Sequence, residues 1–208
     1  MKGTLLLVAL TFFSATGLLN AQQINNDNVE KGLALFEEGN YKEALESFNL
    51  AIEEDSASYQ AFFLRSNTKK WFEDYHGAMK DLNQVVDINP KFADAYFERG
   101  NIKFLLQDYY GAIEDYSQCI KLSDTHVEAY LARGQARREL EAYQDAIHDC
   151  TKIIEIDPKN VSAFALRGVL RIEHGLVKDG CLDLSKAGEL GDTDAYDIIR
   201  EKCNQPLR

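Results

Sequence analysis

Four arginines recur at a fixed interval, and each precedes a small residue. They are Arg65–Ser66, Arg99–Gly100, Arg133–Gly134 and Arg167–Gly168, each 34 residues after the last. A guanidinium offers a planar fork of donors suited to carboxylate or phosphate. A periodic set can therefore read an anionic partner or brace the frame from within. The four histidines, His76, His126, His148 and His174, form no HxxxH or HExxH pair, so zinc-ligand spacing is absent. "HDC" at 148–150 puts His148 near Cys150, but neighbouring helical residues point in different directions. No CxxC, GxGxxG, P-loop or GxSxG occurs. No catalytic residue, metal or cofactor is expected, and an enzyme would rest only on scattered cysteines and histidines.

The 208 residues suffice for one domain or a short repeat array. Hydrophobic residues make up 45% and charged residues 27%, the balance of a folded chain rather than a disordered one. The net charge of −11 repels phosphate backbones, so nucleic acid is not an expected partner.

The first 21 residues differ from the rest. Lys2 is their only charge, "LLLVALTFF" is an apolar core, and "LLNA" before Gln22 ends on a small residue. This is the outline of a secretory signal peptide over 1–21, with an uncleaved N-terminal anchor as the alternative. Thr11, Ser14, Thr16 and Asn20 interrupt the run, which makes it short for a membrane span. The mature chain 22–208 is thus expected to be exported, periplasmic or secreted, with no membrane span after signal cleavage.

The interval of 34 divides the chain into blocks 25–58, 59–92, 93–126, 127–160 and 161–194. Each holds two helical patterns around a short break, as in "ADAYFERGNIKFLL", "QD", "YYGAIEDYSQCIKL". Small residues recur at Gly32, Ser66, Gly100, Gly134 and Gly168, and in the second helix at Ala44, Ala78, Ala112, Ala146 and Gly180. Facing small columns would let the two helices approach closely. Tyr41, Tyr75, Tyr109 and Tyr143 open the second helices, and a further column runs Phe48, Leu82, Tyr116, Cys150 and Leu184. Pro90 and Pro158 mark helix ends. After the last block, Thr193 or Asp194 can cap a helix over 194–203 with Ala195, Ile198 and Ile199 inward.

Period, helix–turn–helix layout and columns resemble the tetratricopeptide repeat. The resemblance implies a right-handed all-α solenoid of five two-helix repeats, closed by the C-terminal helix. The chain departs from the family in its arginine column and in a degenerate last block, with Val177 in the tyrosine column and Gly188 at an apolar position.

In an antiparallel hairpin each arginine faces a residue about sixteen positions on. Those residues are Asp81, Asp115, Asp149 and Asp183, whereas the first block has Lys31 and Ser47 in the two places. The joint absence favours internal ion pairs, Arg65–Asp81, Arg99–Asp115, Arg133–Asp149 and Arg167–Asp183, over ligand binding. Export would permit disulfides. Cys181 and Cys203 lie on either side of the turn at Gly191–Asp192 and form the expected bond. Cys119 and Cys150 fall in apolar columns and read as buried core residues, with a second bond or reactive thiols as the alternative.

The resemblance also implies that first helices line a concave face that takes up peptide segments. Helical spacing carries this to Val29, Leu33 and Phe36; Phe63, Asn67 and Lys70; Phe97, Asn101 and Phe104; Leu131, Gln135 and Arg138; and Ala165, Val169 and Ile172, with Trp71 at the rim. Asn67, Asn101 and Gln135 form an amide column able to bond an extended backbone. The aromatics serve either this face or the packing between repeats, and Trp71 either binds or covers its neighbour. The lysine and asparagine set by which some members hold chaperone tails is not reproduced, because Phe63, Phe97, Glu98 and Ala132 stand there. The expected function is a non-catalytic interaction scaffold of an exported, bacterial-envelope protein, binding an unidentified protein or peptide as a monomer or weak homo-oligomer. The alternative is a structural or self-associating subunit joined through aromatics of the first block.

Overall fold

The computed structural model describes residues 27–203. The expected signal segment 1–21 and the polar tail 204–208 lie outside the described residues. Within them eleven helices follow one another: α1 (Asp27–Glu37), α2 (Tyr41–Glu54), α3 (Tyr59–Trp71), α4 (Tyr75–Ile88), α5 (Ala93–Leu105), α6 (Tyr109–Leu122), α7 (Val127–Glu139), α8 (Tyr143–Ile156), α9 (Val161–Glu173), α10 (Val177–Glu189) and α11 (Asp194–Lys202). Odd and even helices up to α10 pair into five hairpins, numbered here as repeats 1 to 5. Each hairpin packs on the next to form an α-solenoid.

The turns set the period. Three residues join the helices within a hairpin, and the middle one lies in the left-handed region: Gly39 at φ 83°, Glu73 at 59°, Gln107 at 62°, Glu141 at 57° and Gly175 at 86°. That conformation lets the following amides close the first helix, as Asn40 N–H does on the Leu35 carbonyl at 2.8 Å and Asp108 N–H on that of Lys103 at 2.9 Å. The second helix then starts from a side-chain cap in repeats 2 and 3, where Asp74 accepts from Gly77 N–H and Asp108 from Gly111 N–H.

Packing within each hairpin involves more than the facing of two small columns. In the last two repeats the first-helix glycine meets the small residue's backbone, Gly134 near the Ala146 carbonyl and Gly168 near that of Gly180. The tightest neighbours come from the bulky column sixteen residues on. A Cβ on Gly32 would lie 2.5 Å from the Phe48 ring, one on Gly100 2.7 Å from the Tyr116 ring, and one on Gly168 2.7 Å from Leu184. The glycine is a seat for a large side chain. Gly134 faces the small Cys150 instead, and there the nearest atom is 3.6 Å away.

Buried residues form a string of clusters, because each repeat can bury its apolar face only against a neighbour. Val29, expected on the concave face, belongs to this core, packed with Ala51 and Ala61 where α1, α2 and α3 meet. At the far end, α11 lays Ala195, Ile198 and Ile199 against Leu184 and Ala187. Its Tyr196 ring rests on Gly188, where a Cβ would come within 2.6 Å, so the glycine at that apolar position makes room for the closing helix. Thr193 holds the N-cap position of α11 but makes no side-chain cap bond. Asp192 Oδ1 accepts from the amides of Asp194 and Ala195, since the turn is tight enough to bring the earlier carboxylate under the helix start. Among the described residues no helix is long and apolar enough to cross a membrane.

Candidate functional site

The arginine column joins three helices at each step. Arg65 on α3 donates from Nε and Nη2 to both oxygens of Asp81 on α4, at 2.9 and 2.7 Å, and from Nη1 to Asn49 Oδ1 on α2, at 2.8 Å. The same three contacts recur between 2.6 and 3.2 Å for Arg99 with Asp115 and Asn83, Arg133 with Asp149 and Ser117, and Arg167 with Asp183 and Thr151. A second cation one turn further on the first helix closes the other side of each carboxylate: Lys69, Lys103, Arg137 and Arg171, at 2.6 to 2.7 Å. Each arginine also lies over the ring three residues before it, Phe62, Tyr96, Tyr130 or Phe164, at 5.3 to 5.5 Å.

The aspartates are buried, Asp149 completely, which makes full coordination necessary: a carboxylate taken out of water needs its charge and lone pairs matched. The arginine forks are consumed in doing so and offer no free pair of donors to an anionic partner. The hydrogen bonds from Arg99 to Asp115 raise the guanidinium's pKa in spite of burial. Among the described residues no second helix precedes repeat 1. Its Ser47 turns to the carbonyl of Glu43 in its own helix.

The first-helix residues expected to face a partner divide into two groups. Several are engaged between repeats. Phe63 meets Phe92 edge-on at 4.9 Å and Phe97 packs on His126 at 4.8 Å, while Phe104 meets Tyr109 of its own hairpin at 5.4 Å and packs against the cluster that includes Ala136 of the next. Leu131 joins the cluster around Cys119 and Ile153. Lys70 pairs with Glu98 of the next repeat, and Arg138 with Glu173, Nε to Oε2 at 2.7 Å. Trp71 stacks on Tyr41 at 4.5 Å yet stays 52% exposed. The amide column is not uniform. Asn101 Oδ1 accepts from the buried Tyr116 hydroxyl at 2.9 Å, while Asn67 and Gln135 make no side-chain hydrogen bond within the described residues. Asn101 is thus partly structural, a role hidden until Tyr116 is known to point at it.

At the C-terminal end of this face lies an open cleft of about 540 Å³, lined by Arg138, Val161, Ser162, Ala165, Leu166, Val169 and Asp192. Of that set, helical spacing indicates Arg138, Ala165 and Val169. The aspartate reaches the cleft through the turn before α11, which no periodic pattern could place.

Of the remaining chemical groups, His126 gathers neighbours, with Asp94 and Glu128 at 3.7 and 3.4 Å and the Cys119 thiol within hydrogen-bond reach. His148 is exposed while Asp149 and Cys150 are buried, so "HDC" assembles nothing. His126 caps α7, its Nδ1 accepting from Ala129 N–H. Cys119 and Cys150 are buried and unbonded, and burial pushes the Cys150 thiol up to about 12. Cys181 and Cys203 face each other across α10 and α11, their Cα atoms 6.0 Å apart, within the span a disulfide bridges. No group of three or more histidine, cysteine or carboxylate side chains able to hold a metal occurs among the described residues.

Comparison with known proteins agrees with this geometry. The family profile described as tetratricopeptide repeat matches residues 28–58, 93–126 and 127–160. No curated protein matches the sequence. Among solved structures, the chain is similar to the MamA protein, with 19% identity over 87% of this chain and 96% of that one, at a TM-score of 0.74. It is similar to YrrB, described as a TPR protein with an unusual peptide-binding site, at 18% identity, 84% and 90% coverage and a TM-score of 0.74. A shorter likeness is to the first TPR of Spaghetti (RPAP3) bound to the HSP90 peptide SRMEEVD, at 26% identity, covering 54% of this chain and 90% of that one, with a TM-score of 0.53.

Proposed function

The chain belongs to the tetratricopeptide-repeat family, and from that premise we propose that it is a non-catalytic protein-interaction scaffold whose concave face takes up a segment of a partner protein. One observation carries the reading. On the inner helices, Asn67 and Gln135 make no side-chain hydrogen bond among the described residues, and an open apolar cleft lies at the C-terminal end of the same face. Such amides are solvated in the free chain and open to a partner, whose extended backbone offers donors and acceptors that match them. Two of the structural relatives carry peptide binding in their descriptions, which supports the class of function. The acidic tail in one of them is not transferred, because the residues of that clamp are absent here.

The compartment belongs to the same proposal. A signal-like segment at 1–21 and the apposed Cys181 and Cys203 both favour export to an oxidising space, periplasmic or extracellular. The test is affinity capture with the mature chain against an Asn67→Ala, Gln135→Ala variant. Asn101 is left intact, since its removal would strand the Tyr116 hydroxyl. Loss of specific partners from the variant supports the concave face, and full retention refutes it.

A second reading has its own support. Trp71, Phe72, Leu105, Leu106 and Tyr110 are exposed at or beside the turns that join helices within repeats 2 and 3, Tyr110 at 77%. Such a ridge suits a self-associating subunit. It also relocates the self-association surface, because Phe36 and Tyr41 of repeat 1 stack on each other at 5.1 Å. Light scattering across concentrations decides: a strict monomer removes this reading.

A further inference from the structure

The concave face carries a bias of charge that its ion pairs leave unbalanced. Its two cations are committed, Lys70 to Glu98 and Arg138 to Glu173. Its other charged groups are carboxylates. Asp94 and Glu128 share a single His126 ring, at 3.7 and 3.4 Å, so two carboxylates meet at most one positive charge. Glu139 is exposed at the end of α7 and makes no ion pair among the described residues. On α7, Glu128, Leu131, Gln135 and Glu139 follow at helical spacing and share one side, so the two carboxylates bracket the amide and the apolar contact. The cleft adds Asp192 at its rim, beside walls made by Val161, Ala165, Leu166 and Val169.

Resting on the interaction reading above, we propose that the occupant of this face is an extended basic protein segment. One of its aliphatic side chains fills the cleft between α7, α9 and the turn before α11, and its lysines or arginines meet Asp192 on one side and Glu128 and Asp94 on the other. The walls are aliphatic, alanine, valine and leucine, which suits a branched aliphatic chain. The excess of carboxylates over free cations along this face repels an acidic segment and steers a basic one, an effect that salt weakens. Gln135, between them, is placed to bond the backbone of the extended segment. The rejection of acidic tails and the missing clamp residues thus have a common meaning: the groove has the opposite polarity.

The test uses the folded mature chain and four labelled peptides of equal length: a Val-Leu pair flanked by lysines, by serines or by glutamates, and a lysine peptide without aliphatics. The lysine-flanked aliphatic peptide is expected to bind about tenfold more tightly than the serine-flanked one at low salt, the glutamate-flanked one weakest, with the preference shrinking as salt rises. Glu128→Gln with Asp94→Asn should remove most of that preference without weakening the serine-flanked peptide. Ser162→Trp, at the exposed rim where the fold is not at risk, should weaken both aliphatic peptides. Equal binding of all three aliphatic peptides, still weakened by Ser162→Trp, overturns the basic partner and keeps the groove. Tight binding of the lysine peptide without aliphatics, or indifference to Ser162→Trp, assigns the attraction to the overall charge of −11 and overturns the proposal. Binding by none of the four overturns it together with the groove reading.

Discussion

Arg99 Nη1 donates to Asn83 Oδ1 at 2.9 Å, and this contact crosses from repeat 3 to the second helix of repeat 2. With the fork on Asp115, it makes the arginine a rivet through three helices rather than a clasp within one hairpin. In a solenoid, stability is a sum of repeat terms and nearest-neighbour terms, and such a rivet contributes to both.

Removing the buried carboxylate should cost more than removing its partner from the preceding repeat. Asp115→Ala leaves Arg99 and Lys103 facing each other without an anion, so a loss of about 3–5 kcal/mol is expected in urea unfolding. Asn83→Ala removes one hydrogen bond at an exposed acceptor and should cost about 1 kcal/mol. A double-mutant cycle on Arg99 and Asp115 should show clear coupling; additivity would refute the ion-pair account.

Gly100 and Gly134 occupy the same place in successive repeats but should respond oppositely to alanine. At Gly100 the new methyl would collide with the Tyr116 ring, a destabilisation of about 1–3 kcal/mol. At Gly134 the methyl meets nothing nearer than 3.6 Å and helix propensity improves, so Gly134→Ala should be neutral or stabilising by up to about 1 kcal/mol. Thermal midpoints of the two variants check this directly.

A Cys181–Cys203 bond, as proposed, would tie α11 to α10 across 22 residues, and opening it should loosen the end of the array. Closing a loop of that size is worth about 3 kcal/mol in chain entropy, so Cys203→Ser or reductant should lower stability and raise amide exchange in α11 before that of α5 to α8. Non-reducing peptide mapping that found two free thiols would remove the bond.

Burial raises the Cys150 thiol from 9.0 to about 12, assisted by the neighbouring charge of Asp149. The folded chain therefore holds its proton where the unfolded chain loses it. The unfolded state binds fewer protons between pH 9 and 12, so this group's contribution makes stability fall as pH rises through that window. Thiol reagents at pH 8 should leave Cys150 untouched in the native protein and label it after unfolding. Native labelling would contradict the packing.

Much of the frame was legible in the sequence because a repeat writes the same physics several times. A period of 34, recurring small residues and an aspartate sixteen positions after each arginine were enough to lay out hairpins and propose their pairs. The columns Lys69, Lys103, Arg137, Arg171 and Asn49, Asn83, Ser117, Thr151 have the same period but vary in residue type, and without coordinates they look like ordinary surface. The concave face was harder to read. Helical spacing says which way a side chain points, not whether a neighbouring loop covers it. Phe63 pointed as expected but was met by Phe92, and Val29 by the following repeat. Asp192 belongs to a turn shared by no other repeat, so periodicity was silent about the cleft.

The central claim, that partners dock on the concave face, is tested most directly by photo-crosslinking from two positions. One variant carries a photoreactive residue at Gln135 on the inner helix α7, the other at the exposed Leu50 on the outer helix α2. The account predicts a discrete partner adduct from position 135 and none from position 50. Adducts of equal yield from both, or from position 50 alone, would contradict it.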